Sequence, residues 1–181
     1  MSLTQIIRPF LLKRLHALDL YTSRAEDLQR NALQRLVDRA AGTQWGEQHN
    51  YARIRSYEDF AKSQPVHTYE ELKGYIDRMR QGEKDLLWPG VVKWYAKSSG
   101  TTNDKSKFIP VSKDGLKDTH YRGGTDAVVW YLRNNPQSRI FDGRALILGG
   151  SHAPNYNLKS SLVGDLSAIL IENINPLVNL V

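Results

Sequence analysis

Apolar side chains recur at helical spacing in the first part of the chain. Between residues 4 and 20, four of them lie three or four positions apart: Ile7, Leu11, Leu15 and Leu18. This spacing predicts an amphipathic helix, and Pro9 limits how early that helix can start. A second helix is predicted from the "SRAE" segment, where Ser23 can cap the backbone, to Gly42.

Two more helices are predicted from capping boxes. The "SYED" segment (residues 56–59) opens a short helix before Pro65, and the "TYEE" segment (residues 68–71) opens a longer one. The longer helix carries an apolar stripe made of Leu72, Ile76 and Met79. Residues 1–90 are therefore predicted to be mainly helical.

The pattern changes after the "LWPG" turn at residues 87–90. The segments "VVKWYA" and "KFIPV" have the β-branched and aromatic composition of strands. A helix weakened by Gly123 and Gly124 is predicted from Ser112, and "RALILGG" (residues 144–150) is predicted to be a buried strand. Residues 162–174 are apolar and fit either a helix or a strand. The predicted fold class is α/β, with a helical N-terminal region.

Composition narrows the class of protein. A chain of 181 residues can bury a core of its own, as one domain or as part of a larger one. The absence of cysteine excludes a disulfide framework and a cysteine nucleophile, and it fits a cytoplasmic protein. The first twenty residues contain no uninterrupted apolar run that would make a signal peptide or a membrane span. The net charge of +6 is spread along the chain, which suits a small anionic ligand better than nucleic acid.

The loop between the two predicted strands has the composition of an anion-binding loop. A loop that holds phosphates needs free backbone N–H groups, hydroxyl donors and a cation. The segment "SSGTTNDKSK" supplies all three through Ser98, Ser99, Gly100, Thr101, Thr102 and Lys107. The familiar P-loop pattern fails, because residues 103–105 are Asn, Asp and Lys where a second glycine followed by Lys and Ser or Thr is required.

Several segments together resemble one enzyme family. "SSGTTNDKSKFIP" looks like the phosphate loop of the adenylate-forming superfamily, and its spacing resembles the auxin-responsive acyl acid-amido synthetases in particular. "TQWG", the segment from "SYEDFAKSQP" to "LLWPG", and "GRALILGGSHAPN" are similar to the N-terminal part of bacterial members. The resemblance covers the whole chain, and the order and spacing of these segments carry it.

The resemblance implies a ligase that uses ATP and Mg²⁺. Such enzymes activate a carboxylic acid at the α-phosphorus of ATP, release pyrophosphate, and form an amide when an amino acid displaces AMP. Residues 98–102 would hold the β- and γ-phosphates, with Lys107 at the family's loop lysine. Residues 1–181 would be the incomplete N-terminal portion of the large adenylate-forming domain, helical over 1–90 and α/β over 91–181. The C-terminal domain and the adenine, ribose and Mg²⁺ ligands would lie beyond Val181, so the chain alone is expected to be inactive.

Other interpretations of the same residues remain open. The loop can be a solvated polar hairpin loop, and the chain a nucleotide-binding or membrane-surface interaction module without turnover. "GGSHA" nearly matches a nucleophile elbow, which would make Ser151 the nucleophile of an acyl hydrolase. Six aromatic residues can stack on a ligand or fill the core: Trp45, Trp88, Trp94, Tyr95, Tyr121 and Trp130. The five histidines lack ligand spacing, so no metal cluster is predicted.

Overall fold

The computed structural model describes residues 2–98 and 106–174. Six helices come first along the chain: α1 (Leu3–Leu12), α2 (Leu15–Ser23), α3 (Ala25–Ala40), α4 (Gln44–Gln48), α5 (Tyr57–Ser63) and α6 (Tyr69–Arg80). A 3₁₀ turn at Tyr51–Arg53 separates α4 from α5. Among the described residues, no helix combines the length and the apolar character needed to cross a membrane. The N-terminal region is helical, as the sequence predicts.

The single helix predicted at the N-terminus is two helices. The first helix begins at Leu3, because Ser2 and Gln5 form a capping box in which each backbone N–H donates to the other side chain. Pro9 lies inside α1 and does not limit its start, so that part of the prediction is wrong. The chain then tightens at Arg14, whose N–H donates to the Leu11 carbonyl at 3.0 Å, and α2 follows.

The predicted capping boxes have mixed outcomes. The Ser56 hydroxyl accepts the Asp59 N–H, and the Glu71 carboxylate accepts the Thr68 N–H, so the starts of α5 and α6 are confirmed. Ser23 does not cap α3. It ends α2, and its hydroxyl donates to the Asp19 carbonyl, so the third helix exists but begins at Ala25. A serine in the last turn of a helix can donate its hydroxyl to a carbonyl of the preceding turn. This bond competes with capping the next helix.

The "TQWG" segment forms the start of α4. Thr43 is fully buried, and its hydroxyl donates to the Ala40 carbonyl at 2.7 Å and accepts the Gly46 N–H at 3.0 Å. A side chain at position 46 would collide with the same Ala40 carbonyl, so the close approach of the backbone requires glycine there. Two further backbone bonds join α4 to the residues that follow α6, from Gln44 to Asp85 and from Trp45 to Leu86.

Three strands form one mixed sheet in the order β2-β1-β3. Strands β1 (Trp94–Ser98) and β2 (Lys107–Val111) are an antiparallel hairpin, and β3 (Leu162–Gly164) runs parallel to β1. Both strands predicted around the loop are present; β2 has the predicted bounds, whereas β1 begins at Trp94 and continues to Ser98 instead of spanning residues 91–96. Because β1 is central in the described sheet, its register determines where both neighbours lie.

The chain between β2 and β3 is helical first and irregular afterwards. Helix α7 (Lys113–Gly115), a π-helical turn (Leu116–Tyr121) and α8 (Arg122–Asn134) follow one another, and the helix predicted from Ser112 is thus present. A 3₁₀ turn at Pro154–Tyr156 precedes β3, and helix α9 (Leu166–Glu172) follows it. The ambiguous apolar segment thus forms a short strand and then a helix.

The buried strand predicted at residues 144–150 is a wrong prediction. These residues form no strand, and Leu146 and Leu148 are each 86% exposed. A strand needs a partner that receives its backbone hydrogen bonds, and no described strand pairs with this segment. An apolar composition favours burial, but it does not ensure that a neighbouring strand is present to pair with the segment.

The chain divides into two compact units. One contains residues of Glu26–Ser112 and Gly150–Ile169, and the other contains residues of Met1–Ala25, Lys113–Gly149 and Leu170–Val181. The core of the first-named unit lies between α6 and the sheet, and its fully buried members are Ile76, Met79, Leu86, Val92, Tyr95 and Val163. We refer to this cluster as the α6–sheet core.

Polar contacts of Thr4 and Arg14 join the N-terminal helices to the rest of the other unit, which also has a buried apolar core. Arg14 forms a two-pronged ion pair with Asp126 of α8, at 2.7 and 3.1 Å. Thr4 is 1% exposed, and its backbone N–H and hydroxyl both donate to one carboxylate oxygen of Asp142, at 2.9 and 3.0 Å. The same hydroxyl accepts the Phe141 N–H at 2.9 Å. Thr4 therefore ties α1 to residues 141–142.

Replacing Thr4 by Val should destabilise this unit. The change keeps the shape of the side chain but leaves the Phe141 N–H without its acceptor and removes one donor from Asp142, so the expected loss is about 1–3 kcal/mol of unfolding free energy. Denaturant titration followed by circular dichroism measures it. Thr22→Val in α2, whose exposed hydroxyl bonds only within its own helix, is the matched control and should change little.

The contribution of Asp142 to stability should depend on pH. The Thr4 N–H, followed by Arg139, holds the pKa of Asp142 well below its usual range. A lowered folded-state pKa stabilises the fold fully above the ordinary aspartate pKa of about 4, and this stabilisation is lost as the pH falls through the lowered value. Asp142→Asn should therefore destabilise the chain at neutral pH and lose most of that effect in acid. An effect that stays constant from pH 7 to pH 2 would contradict this assignment.

Candidate functional site

The hairpin β1–β2 presents the predicted phosphate loop. Its register pairs Trp94 with Val111 at one end and Ser98 with Lys107 at the other. Ser98 and Lys107, two of the predicted site residues, therefore lie directly opposite each other where the loop leaves and re-enters the sheet. The other predicted residues, Ser99, Gly100, Thr101 and Thr102, lie outside the described residues.

A cluster of cations and aromatic rings lies under this end of the hairpin. The Arg80 guanidinium stacks 3.8 Å from the centre of the Phe108 ring and donates to the Tyr156 carbonyl at 2.6 Å. The Phe108 and Tyr156 rings are 5.7 Å apart, and the Lys97 ammonium lies 4.4 Å from the centre of the Tyr156 ring. We call these four residues the aromatic clamp. They join the end of α6, both strands and the Pro154–Tyr156 turn.

The clamp follows from the alternation of the strands. Lys97 and Phe108 are register partners, so their side chains leave the same face of the hairpin. Tyr95, two positions before Lys97, shares that face and is fully buried in the α6–sheet core. The clamp is therefore the continuation of the core face toward the loop, and it replaces apolar packing with cation–aromatic packing where the surface begins.

Tyr95 is a buried neutral phenol at the edge of the clamp. Burial raises the pKa of Tyr95 to about 12, and the positive charge of Arg80 acts in the opposite direction. The Tyr95 hydroxyl and the Arg80 Nε are buried and accept or donate no hydrogen bond within the described part of the chain. A group with so high a pKa stays protonated at neutral pH, so Tyr95 is packed in the core as a neutral phenol.

Tyr69 contacts the β2 end of the loop from another direction. It is the first residue of α6, and its hydroxyl accepts the Phe108 N–H at 2.9 Å. The Lys107 ammonium lies 5.4 Å from the centre of its ring. The start of α6 is itself anchored, because Thr68 donates to Glu71 through its backbone N–H and its hydroxyl, and these bonds lower the pKa of Glu71.

The "GGSHA" segment lies beside β3 and does not have the geometry of a nucleophile elbow. The Ser151 N–H donates to the Asp165 carboxylate, and the Asp165 N–H donates back to the Ser151 carbonyl, both at 2.9 Å. His152 bridges to Gly164, and its ring lies 5.8 Å from that of Trp94. An elbow needs a strand before the serine and an α-helix after it, whereas residues 144–150 form no strand and Pro154 begins a 3₁₀ turn.

The other aromatic candidates have local partners. Trp45 stacks on His49 with ring centres 4.0 Å apart, Arg133 lies 4.9 Å above Trp130, and the Tyr121 hydroxyl donates to the Leu170 carbonyl. Within the described ranges, no group of three or more His, Asp or Glu side chains could hold a metal ion. The candidate site in the described part of the chain is therefore Ser98 and Lys107, with the aromatic clamp beside them.

The residues that support this end of the hairpin are absent from the predictions made on sequence. Lys97 and Phe108 flank the predicted loop residues directly, so a wider window around Ser98 and Lys107 would have included them. Arg80 and Tyr156 are 76 residues apart in the chain. No local pattern connects two positions so distant, and only the fold brings them together.

Comparison with known proteins gives one family. Residues 14–176 match the family described as "GH3 family N-terminal domain". The indole-3-acetic acid-amido synthetase GH3.15 of Arabidopsis thaliana is 30% identical over 97 residues, which are 53% of this chain and 16% of that protein. The jasmonoyl-L-amino acid synthetase JAR4 of Nicotiana attenuata is 25% identical over 129 residues, which are 71% of this chain and 22% of that protein.

A solved structure has the same fold. It is that of a GH3.15 acyl acid amido synthetase, with a TM-score of 0.66 and 21% sequence identity, and the match covers 88% of this chain and 28% of the other. At this identity the likeness concerns the fold alone. The chain spans only 16% to 22% of the length of the two curated relatives named above.

Arg80 should be the most sensitive residue of the aromatic clamp. Arg80→Leu removes the stacking on Phe108 and the bond to the Tyr156 carbonyl together, and the expected loss is about 1–3 kcal/mol of unfolding free energy. Arg80→Lys should restore only part of it, because an ammonium cannot stack flat on a ring and donate sideways as a guanidinium does. Thermal and denaturant unfolding measure both variants.

The matched control is Arg78→Leu in the same helical turn. Arg78 forms an exposed ion pair with Glu83 and lies 5.9 Å from the centre of the Tyr75 ring, and contacts so exposed to water should contribute little to stability. Equal losses for the Arg78 and Arg80 variants would show that the clamp adds nothing beyond an ordinary surface contact.

Proposed function

This chain belongs to the GH3 N-terminal domain family, and we propose that it is the N-terminal, ATP phosphate-binding part of an ATP-dependent acyl acid-amido synthetase. The two curated relatives named above are, by their names, an amido synthetase and an amino acid synthetase, which supports a ligase as the activity of the family. The substrates proposed are a small carboxylic acid and an amino acid. A cytoplasmic location belongs to the same proposal.

The proposed reaction has two steps. A carboxylate oxygen attacks the α-phosphorus of ATP, which forms an acyl-adenylate and breaks the bond to the β-phosphate, so pyrophosphate leaves. The amino group of an amino acid then attacks the acyl carbon, AMP leaves with the bonding electron pair, and the amine loses a proton as the amide forms. In the first step negative charge accumulates on the departing pyrophosphate, so cations and N–H donors held around it would lower the barrier.

The observation that carries the proposal is the pairing of Ser98 with Lys107. These residues are nine positions apart in sequence, and the hairpin places them opposite each other at the two ends of one loop. The hydroxyl of Ser98 and the ammonium of Lys107 are both exposed there, and a hydroxyl donor with a cation fits a phosphate group. We assign Ser98, Ser99, Gly100, Thr101, Thr102 and Lys107 to the β- and γ-phosphates of ATP, with Lys107 offsetting the charge that develops.

The resemblance to adenylate-forming enzymes implies Mg²⁺, but the described residues contain no acidic cluster that fits the ion. We therefore assign it no ligand and no step. The part of the reaction proposed for this chain is the binding and orientation of phosphate oxygens by the loop residues and Lys107.

The chain is much shorter than the curated relatives it matches. Because it covers 16% to 22% of the length of the curated proteins named above, we propose that it holds the phosphates without completing turnover alone. The rival function, a nucleotide-binding module that never takes part in ligation, shares the same loop. Activity of the complete protein separates the two.

The first experiment measures phosphate binding by the chain itself. Titration calorimetry should show that pyrophosphate and ATP bind and that adenosine does not, because the proposed contacts are to phosphate oxygens. Lys107→Ala should weaken pyrophosphate binding about tenfold to a hundredfold, the loss expected for one charge-assisted hydrogen bond. Lys159→Ala, another exposed lysine of the same unit, is the control. Equal binding by wild type and Lys107→Ala would refute the assignment.

The second experiment measures ligation by the complete protein that contains this segment. Pyrophosphate release should require ATP and a carboxylic acid, and amide formation should require an added amino acid. A panel of small carboxylic acids is the substrate set, and Lys107→Ala should lower the rate of pyrophosphate release far more than it lowers stability. Normal ATP binding without pyrophosphate release for any acid would favour the non-catalytic module.

A further inference from the structure

Tyr69 touches two neighbouring residues at the point where the loop joins β2. Its hydroxyl accepts the Phe108 N–H, and its ring lies beneath the Lys107 ammonium. Lys107 is exposed, whereas Tyr69 is half-buried and packs against the α6–sheet core. One anchored side chain therefore controls both the backbone and the cation at this end of the loop.

The hydroxyl bond matters because β2 lies at the edge of the described sheet. The strand order is β2-β1-β3, so an N–H of β2 that points away from β1 has no described strand to receive it. Tyr69 supplies an acceptor there, at 2.9 Å from the Phe108 nitrogen. The backbone of Phe108 is thus held from one side by the hairpin and from the other by α6.

The ring contact restricts the lysine without neutralising it. A lysine side chain has four rotatable bonds, and ordering it on binding an anion carries an entropic penalty. A ring within about 6 Å attracts the ammonium and narrows the directions it samples. The ring occupies one side of the ammonium, so N–H donors on its other sides stay available to an anion.

We propose that Tyr69 is a positioning residue that holds Lys107 ready for the phosphates of the nucleotide. Its hydroxyl fixes the backbone next to Lys107, and its ring confines the ammonium. The inference rests on the proposed function, in which Lys107 binds phosphate. It adds a residue of α6, 38 positions before Lys107 in the sequence, to the residues that determine how tightly the loop binds.

The experiment uses the 181-residue chain and inorganic pyrophosphate as the probe. Tyr69→Leu, which removes ring and hydroxyl, should weaken pyrophosphate binding about twofold to fivefold, the size of an exposed cation–π contact. Tyr69→Phe keeps the ring, so it should bind nearly as wild type, while exchange of the Phe108 amide proton quickens about tenfold. Tyr75→Leu, a tyrosine of the same helix and the same core, is the control and should leave binding unchanged.

A double-mutant cycle separates positioning from general stability. In the Lys107→Ala background, Tyr69→Leu should cause no further loss of pyrophosphate affinity, because the side chain it positions is gone. The NMR signals of the Lys107 side chain should also shift in Tyr69→Leu and not in Tyr69→Phe, since ring currents act over this distance. A loss of the same size in both backgrounds, or unmoved Lys107 signals, overturns the positioning role.

The failure of this inference is distinguishable from failure of the proposed function. Wild type that does not bind pyrophosphate overturns the phosphate-binding proposal and this inference with it. Wild type that binds pyrophosphate, with Tyr69→Leu binding equally well, overturns only the role of Tyr69. If Tyr69→Leu does not fold, Tyr69→Phe tests the hydroxyl contact, and unchanged exchange of the Phe108 amide overturns that part of the inference. The wild-type NMR spectrum tests the ring contact, and Lys107 side-chain signals without ring-current shifts overturn that part.

Discussion

The packing of one face of β1 against α6 is the interaction on which the site depends. Tyr95 is fully buried on that face, next to Val163 of β3 in the sheet register and against Ile76 and Met79 of α6. Because β1 is the central strand of the described sheet, this burial determines which of its residues face inward. A slip of one residue would turn Tyr95 outward and bring Trp94 and Ala96 to the inward face, where the α6–sheet core is packed around Tyr95. The packing of Tyr95 therefore favours the register that pairs Ser98 with Lys107.

The inward face of β1 continues from the core to the end of the hairpin. Beyond Tyr95, the inward positions are occupied by Lys97 and Phe108, and Arg80 covers Phe108 from the end of α6. Cations on aromatic rings suit this boundary, because the rings and aliphatic stems bury apolar surface while the charges stay near water. Ser98 and Lys107, at the end of the hairpin, therefore stand beside a packed platform, which would support the anion binding proposed for them.

The features that were predictable from the sequence have local causes. The N-cap bond at Ser56 and the capping box at Thr68 involve groups three residues apart, and both helix starts were found where the sequence indicated, although the Asp59 carboxylate accepts the Arg55 N–H and so does not complete a box at Ser56. Strand β2 was predicted at its observed residues from β-branched and aromatic composition beside a polar loop. Where a competing local bond exists the same reasoning fails, as at Ser23, whose hydroxyl bonds back to α2 instead of capping α3. At the N-terminus the helical spacing of apolar residues continues from α1 into α2. The spacing alone therefore does not reveal that the helix is interrupted between Leu12 and Leu15.

The sequence by itself determined the family, the helical character of the N-terminal region and the strand pair that ends at Ser98 and begins again at Lys107, because these depend on residue types and spacings close together in the chain. Tertiary structure alone decided which distant residues support that loop: Tyr69, Arg80 and Tyr156 reach it from other elements. It also decided that the apolar residues 146–148 are exposed, since a strand exists only where another strand receives its hydrogen bonds. Composition reports which segments prefer burial or pairing, whereas the fold determines whether a partner is within reach.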